Sequence, residues 1–116
     1  MTTLYGIPNC DSVKKARNWL ESHEIDYTFH DIRSDGLTQS QVSTWLALIG
    51  RDTLVNKRST SWRQLSDELK TALSDQSTVE LILQHPTLMK RPLLELSSNE
   101  IEVGFNSTVY QSRLIK

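Results

Sequence analysis

The spacing of hydrophobic positions changes several times along this chain, and each change marks an element. Thr2 to Ile7 is a short apolar run closed by Pro8, the pattern of a buried strand. Val13, Ala16 and Leu20 then recur at helical spacing and predict a helix from Asp11 to about Ser22. Tyr27-Thr28-Phe29-His30-Asp31-Ile32 alternates large and polar side chains, as a half-buried strand does. Strand, helix, strand at this spacing is a βαβ unit, which predicts two parallel neighbouring strands.

Ser34-Asp35-Gly36 breaks the chain, and three capping-box patterns follow. Thr38-Gln39-Ser40-Gln41 opens a helix through Val42, Trp45, Leu46 and Ile49 that ends at Gly50. Ser61-Trp62-Arg63-Gln64 precedes Leu65 and Leu69, and Ser77-Thr78-Val79-Glu80 precedes Leu81, Ile82 and Leu83. His85-Pro86 stops the last helix. Leu93 to Leu96 and Ile101 to Phe105 read as a β-hairpin with Ser97-Ser98-Asn99-Glu100 as a four-residue turn. A final helix is capped by Asn106 or Ser107. The order is βαβ, helical block, ββα, so the expected class is α/β, a mixed sheet flanked by helices.

Length and charge narrow the functions. The 116 residues suit one domain with its own core. A net charge of −1 gives no global drive toward nucleic acid, although Arg51, Lys57, Arg58 and Arg63 cluster against Asp52, and Lys90-Arg91 form a second basic pair. No apolar run approaches the roughly 18 residues of a membrane span. No signal peptide is expected, so the cytoplasm is the default location. His23, His30 and His85 lie far apart without metal-ligand spacing, and no metal site is expected.

Cys10 is the only cysteine. It stands where the first strand runs into the first helix, facing backbone N–H groups that favour a thiolate. Lys14 and Lys15 favour it too, and the adjacent Asp11 opposes it. A buried, inert thiol fits the same local pattern, and the two readings stay open on these residues alone.

Four segments in order, Tyr5-Gly6-Ile7-Pro8-Asn9-Cys10-Asp11 with Lys14-Lys15-Ala16, Leu54-Val55-Asn56-Lys57-Arg58, Leu88-Met89-Lys90-Arg91-Pro92-Leu93 and Val103-Gly104-Phe105, resemble the arsenate reductase (ArsC) and Spx family, in its YffB-like branch. The resemblance implies a single ArsC-like domain. Its thioredoxin-like core would span about 1–35 and 87–116, with a helical insertion over about 38–86. It places Cys10 on the family's catalytic cysteine, Arg91 on an oxyanion-binding arginine and Pro92 on a cis-proline. From the residues alone, Arg91 and Lys57-Arg58 could equally be solvated.

The departures redirect the chemistry. Arsenate reductases carry a histidine where this chain has Gly6, an arginine aligned with Asn56, and another near Gly104-Phe105. Spx-type regulators carry a Cys-x-x-Cys switch, and here Val13 holds the second position. A lone thiol must take its second thiol from outside. The expectation is a glutathione-dependent thiol reductase with no bound cofactor. Cys10 is the nucleophile on a thiol or oxyanion substrate, with Asn9, Ser12, Lys14, Arg58, Arg91 and Pro92 forming the ligand site. The alternatives are an Spx-like module that binds RNA polymerase, without touching nucleic acid directly, and a true arsenate reductase. A monomer is the default state.

Overall fold

The computed structural model describes residues 2–97 and 100–115. It divides into two compact units, Met1–Asp31 with Arg91–Lys116, and Ile32–Lys90.

The first unit holds strands β1 (Thr3–Gly6), β2 (Thr28–Asp31), β3 (Leu93–Ser97) and β4 (Glu100–Val103), with helices α1 (Asp11–Ser22) and α7 (Ser107–Leu114). The sheet order is β2-β1-β3-β4. β1 and β2 run parallel, as the βαβ pattern predicts, with Leu4 opposite Phe29. β3 is antiparallel to both β1 and β4, with Leu4 opposite Leu94. That pair sits on one face of the sheet and meets Val13, Ala16 and Leu20 of α1 and Tyr110 of α7 in one buried cluster. Complete burial of a leucine side chain contributes about 1.5–3 kcal/mol, so this face dominates the stability of the unit. This mixed sheet with its helices is the thioredoxin-like α/β arrangement.

The hairpin is tighter than predicted. Ser97 pairs directly with Glu100, so a two-residue connection replaces the four-residue turn. Its residues, Ser98 and Asn99, lie outside the described residues. β4 also ends earlier, at Val103, because Gly104 turns into positive φ (+78°) and donates its N–H to the Pro92 carbonyl at 2.8 Å.

The second unit carries α2 (Gln39–Ile49), α3 (Arg51–Leu54), α4 (Thr60–Arg63), α5 (Asp67–Thr71), α6 (Asp75–Gln84) and a single 3₁₀ turn at Pro86–Leu88. Its core is Val42, Trp45 and Leu46 of α2, Leu54, Val79 and Ile82, closed by Leu88 and Met89. A short antiparallel bridge joins Val55 to Met89. The Thr38–Gln41 capping box forms as predicted, and Gly50 ends α2.

The other two boxes are displaced. Ser59, not Ser61, caps α4, because its buried hydroxyl accepts the Trp62 N–H and donates to the Asn56 carbonyl. The Ser61 hydroxyl is engaged with that of Thr87. One helix through Leu65 and Leu69 is replaced by two, since Ser66 starts a new cap by accepting the Leu69 N–H. Ser74 caps α6, and Ser77 is its reciprocating third residue, not the cap. Serines are dense here, and tertiary partners select among equivalent local signals.

Candidate functional site

The register of the sheet gathers the site. β1 ends at Gly6, and Tyr5 lies opposite Leu93, the first residue of the antiparallel β3. The loop from β1 to Cys10 and the Arg91-Pro92 bond before β3 therefore lie at the same end of the sheet. The end of β4 joins them through the bond from Gly104 to Pro92. The Arg91-Pro92 peptide is cis, and Pro92 is buried.

Cys10 is half-buried and is the N-cap residue of α1, with extended backbone (φ −111°, ψ 127°). Its carbonyl accepts the first intrahelical bond, from the Lys14 N–H at 2.9 Å. No side-chain oxygen caps this helix. Elsewhere, Thr38, Ser59, Ser66, Ser74 and Asn106 each accept a hydrogen bond from the first turn of their helices. The sulfur thus occupies the place where five of the other helices put oxygen, and an anion there would meet amide donors. Its inner side packs against the cluster around Leu4 and Val13.

Of the predicted ligand residues, Asn9, Ser12 and Lys14 are exposed beside Cys10 in sequence. Arg91 is half-buried, and its Nε is fully buried without a hydrogen-bond partner among the described residues. An orphaned buried donor costs about 1–3 kcal/mol, so an acceptor arriving there would recover it. Arg58 belongs to the Ile32–Lys90 unit, and its side chain is exposed. Its backbone N–H donates to Asn56 Oδ1 at 3.0 Å, an Asx turn that shapes the Asn56–Ser59 loop. Among the described residues no cluster of three histidine, cysteine or acidic side chains could hold a metal ion. No described helix is long and apolar enough to cross a membrane.

Two features were not anticipated. Gly6 is packed against Val13 so tightly that a Cβ on Gly6 would stand 2.6 Å from Val13 Cγ2. Tyr110 is almost wholly buried, edge-on to Trp19 and Phe105, with its hydroxyl unpartnered among the described residues. Burial, aided by the Glu102 carboxylate, pushes that phenol well above its ordinary range. The periodicity of the last helix could have flagged Tyr110 as core. Nothing local in the sequence signals the Gly6–Val13 contact.

Comparison with known proteins agrees with this fold. The family model described as the ArsC family matches residues 5–112. An uncharacterized protein from Haemophilus influenzae is 43% identical over 112 residues, covering 97% of each chain. The global transcriptional regulator Spx of Listeria innocua is 35% identical over 108 residues, 91% of this chain and 81% of Spx. A solved YffB protein superposes with a TM-score of 0.93 at 38% identity, covering 98% of this chain and 99% of its own.

Proposed function

The chain belongs to the ArsC family, and on that premise we propose that it is a glutathione-dependent thiol reductase working through one sulfur, that of Cys10. The observation that carries the reading is the position of this single thiol, half-exposed at an α1 N-terminus that no side-chain oxygen caps. The Cys10 thiolate attacks the sulfur of a mixed disulfide between glutathione and substrate. The Cys10–glutathione disulfide forms, and the substrate leaves as its thiolate. A second glutathione thiolate then attacks that adduct, glutathione disulfide departs, and Cys10 is restored as thiolate. The net exchange consumes one free glutathione thiolate and turns the glutathionylated substrate into the substrate thiolate and glutathione disulfide, and no second protein cysteine is needed.

Arg91 holds a glutathione carboxylate through its buried Nε–H, a charge-assisted contact. Lys14 adds positive charge. Asn9, Ser12 and the first-turn amides polarise the sulfur that is attacked, and Pro92 shapes the strand edge that the glutathione backbone lies along. This chemistry suits a reducing compartment such as the cytoplasm.

The test is mass spectrometry of the protein after exposure to glutathione disulfide. A single adduct on Cys10, discharged by reduced glutathione with release of the disulfide, is expected. No adduct, or one that reduced glutathione cannot discharge, would remove the enzyme reading. The 35% identity to Spx favours a second reading, a regulatory module docking on RNA polymerase. Co-purification of polymerase subunits with the chain, unaffected by Cys10→Ala, would select it.

A further inference from the structure

The Ile32–Lys90 unit contains a cavity of about 190 Å³ whose lining is unusually cationic. Arg51, Lys57 and Lys70 face it with Trp62, and Asp52 is the one carboxylate among the lining residues. None of these residues belongs to the thiol site. The arrangement is built around the indole: Lys57 Nζ lies 5.7 Å and Lys70 Nζ 5.6 Å from the Trp62 ring centroid. Both distances fall within cation–π range, so one ring gathers two ammonium groups.

A ring face attracts ammonium groups but does not neutralise them. Lys57 has only a long contact to Asp52, at 3.8 Å with the carboxylate almost fully exposed, and such pairs are weak. Lys70 has no carboxylate partner among the described residues. Arg51 is fixed in place by the Leu73 carbonyl at 3.2 Å and by Asp75 at 3.6 Å. Three cations converge on one small space with a single carboxylate at its rim. Half-burial of Trp62, Arg51 and Lys70 reduces the screening that an open surface would provide.

We propose that this pocket is a binding site for a small phosphorylated anion, separate from the reductase chemistry. Phosphate oxygens match what the site offers: two ammonium point charges and a guanidinium, with the Thr71 segment beside them. The volume admits a phosphate or diphosphate group and leaves a nucleoside outside. Trp62 is a positioning residue, holding Lys57 and Lys70 toward a common centre before the anion arrives.

The experiment titrates the full chain with inorganic pyrophosphate, with sodium chloride of matched ionic strength as control, and follows the Trp62 indole N–H by NMR. That resonance is assigned by its loss in Trp62→Phe. A saturable shift absent from the chloride control is expected. Lys70→Gln should weaken binding about fivefold, the scale of one partly screened ion pair. Arg63→Gln removes a charge from the same stretch without lining the pocket and should leave the affinity unchanged. A linear shift that chloride reproduces, or equal weakening by Lys70→Gln and Arg63→Gln, would reduce the pocket to a diffuse positive surface and overturn the assignment. ADP should bind no more tightly than pyrophosphate, and a large gain from the nucleoside would overturn the size argument.

Discussion

Gly6 and Val13 are in contact at a distance that leaves no room for a β-carbon, 2.6 Å from the Cβ position to Val13 Cγ2. Both are among the positions where the resemblance implies a departure, Gly6 from the arsenate reductase histidine and Val13 from the second cysteine of the Spx switch. The structure makes them one feature. A β-branched residue fills the space below the strand, and only glycine can pass above it. Gly6→Ala should destabilise the fold by about 1–3 kcal/mol through overpacking. In Val13→Ala the same change should cost far less, giving a coupling of about 1 kcal/mol or more in a double-mutant cycle by urea unfolding. Additive effects would mean that the contact relaxes freely.

Arg91 should matter to glutathione more than to folding. Its buried Nε lacks a partner among the described residues, so Arg91→Ala removes an orphan and leaves none behind. Protection of Cys10 from alkylation by glutathione should weaken about tenfold, near 1.4 kcal/mol. Thermal stability should hardly move. Unchanged protection would take Arg91 out of the ligand site.

Asn56 anchors the loop that leads into α4. Its side chain accepts the Arg58 N–H, and its carbonyl accepts both the N–H and the hydroxyl of Ser59. Asn56→Arg should lose the Asx turn, at about 1 kcal/mol of stability, while adding a cation. Urea unfolding reads that loss, and an unchanged midpoint would show that the turn carries no stability. Tight arsenate binding by the unaltered chain, with Cys10-dependent reduction, would make arsenate the substrate instead.

The Tyr110 phenol sets a pH limit. Below its ordinary value of about 10 the group is neutral in both the folded and unfolded chain, and it leaves stability independent of pH. Above that value the unfolded chain releases a proton that the folded chain keeps, so stability falls as pH rises. Burial raises Tyr27 as well, aided by Glu21 and opposed by Arg17, and adds a smaller effect in the same direction. Tyr110→Phe should flatten the alkaline limb without abolishing it. At pH 7 it should be neutral or stabilising, because the lost hydroxyl is buried and has no partner among the described residues. A clear loss of stability at pH 7 would show that the hydroxyl is satisfied.

Sequence pattern carried the fold wherever one signal stood alone. The βαβ spacing and the Thr38, Gly50 and Asn106 boundaries all appear in the structure. It misled where signals were crowded: Ser59, Ser61, Ser66, Ser74 and Ser77 are all plausible caps by type, and the partner that engages Ser61, Thr87, is remote from the pattern. At the site, the position of Cys10 at a helix start was legible in the residues, and the cis bond at Pro92 was implied by the family resemblance alone. The Gly6–Val13 fit, the orphaned Arg91 Nε and the ring that gathers Lys57 and Lys70 were not. Each depends on three-dimensional proximity that periodicity does not encode.

The pairing of β1 with β3 joins Tyr5 to Leu93, so the unit that houses the thiol is discontinuous in the chain, while the helical unit is a single stretch. Synthesis runs in one direction, at about 5–20 residues per second. Cys10 is therefore made before Leu93, and its sheet cannot close until that residue has followed, seconds later. By the end of that interval the helical unit has all of its own residues, while the nucleophile's unit still lacks the strand that pairs with β1. Oxidants and electrophiles meet this thiol first on a nascent chain, before the strand that completes its sheet has been made.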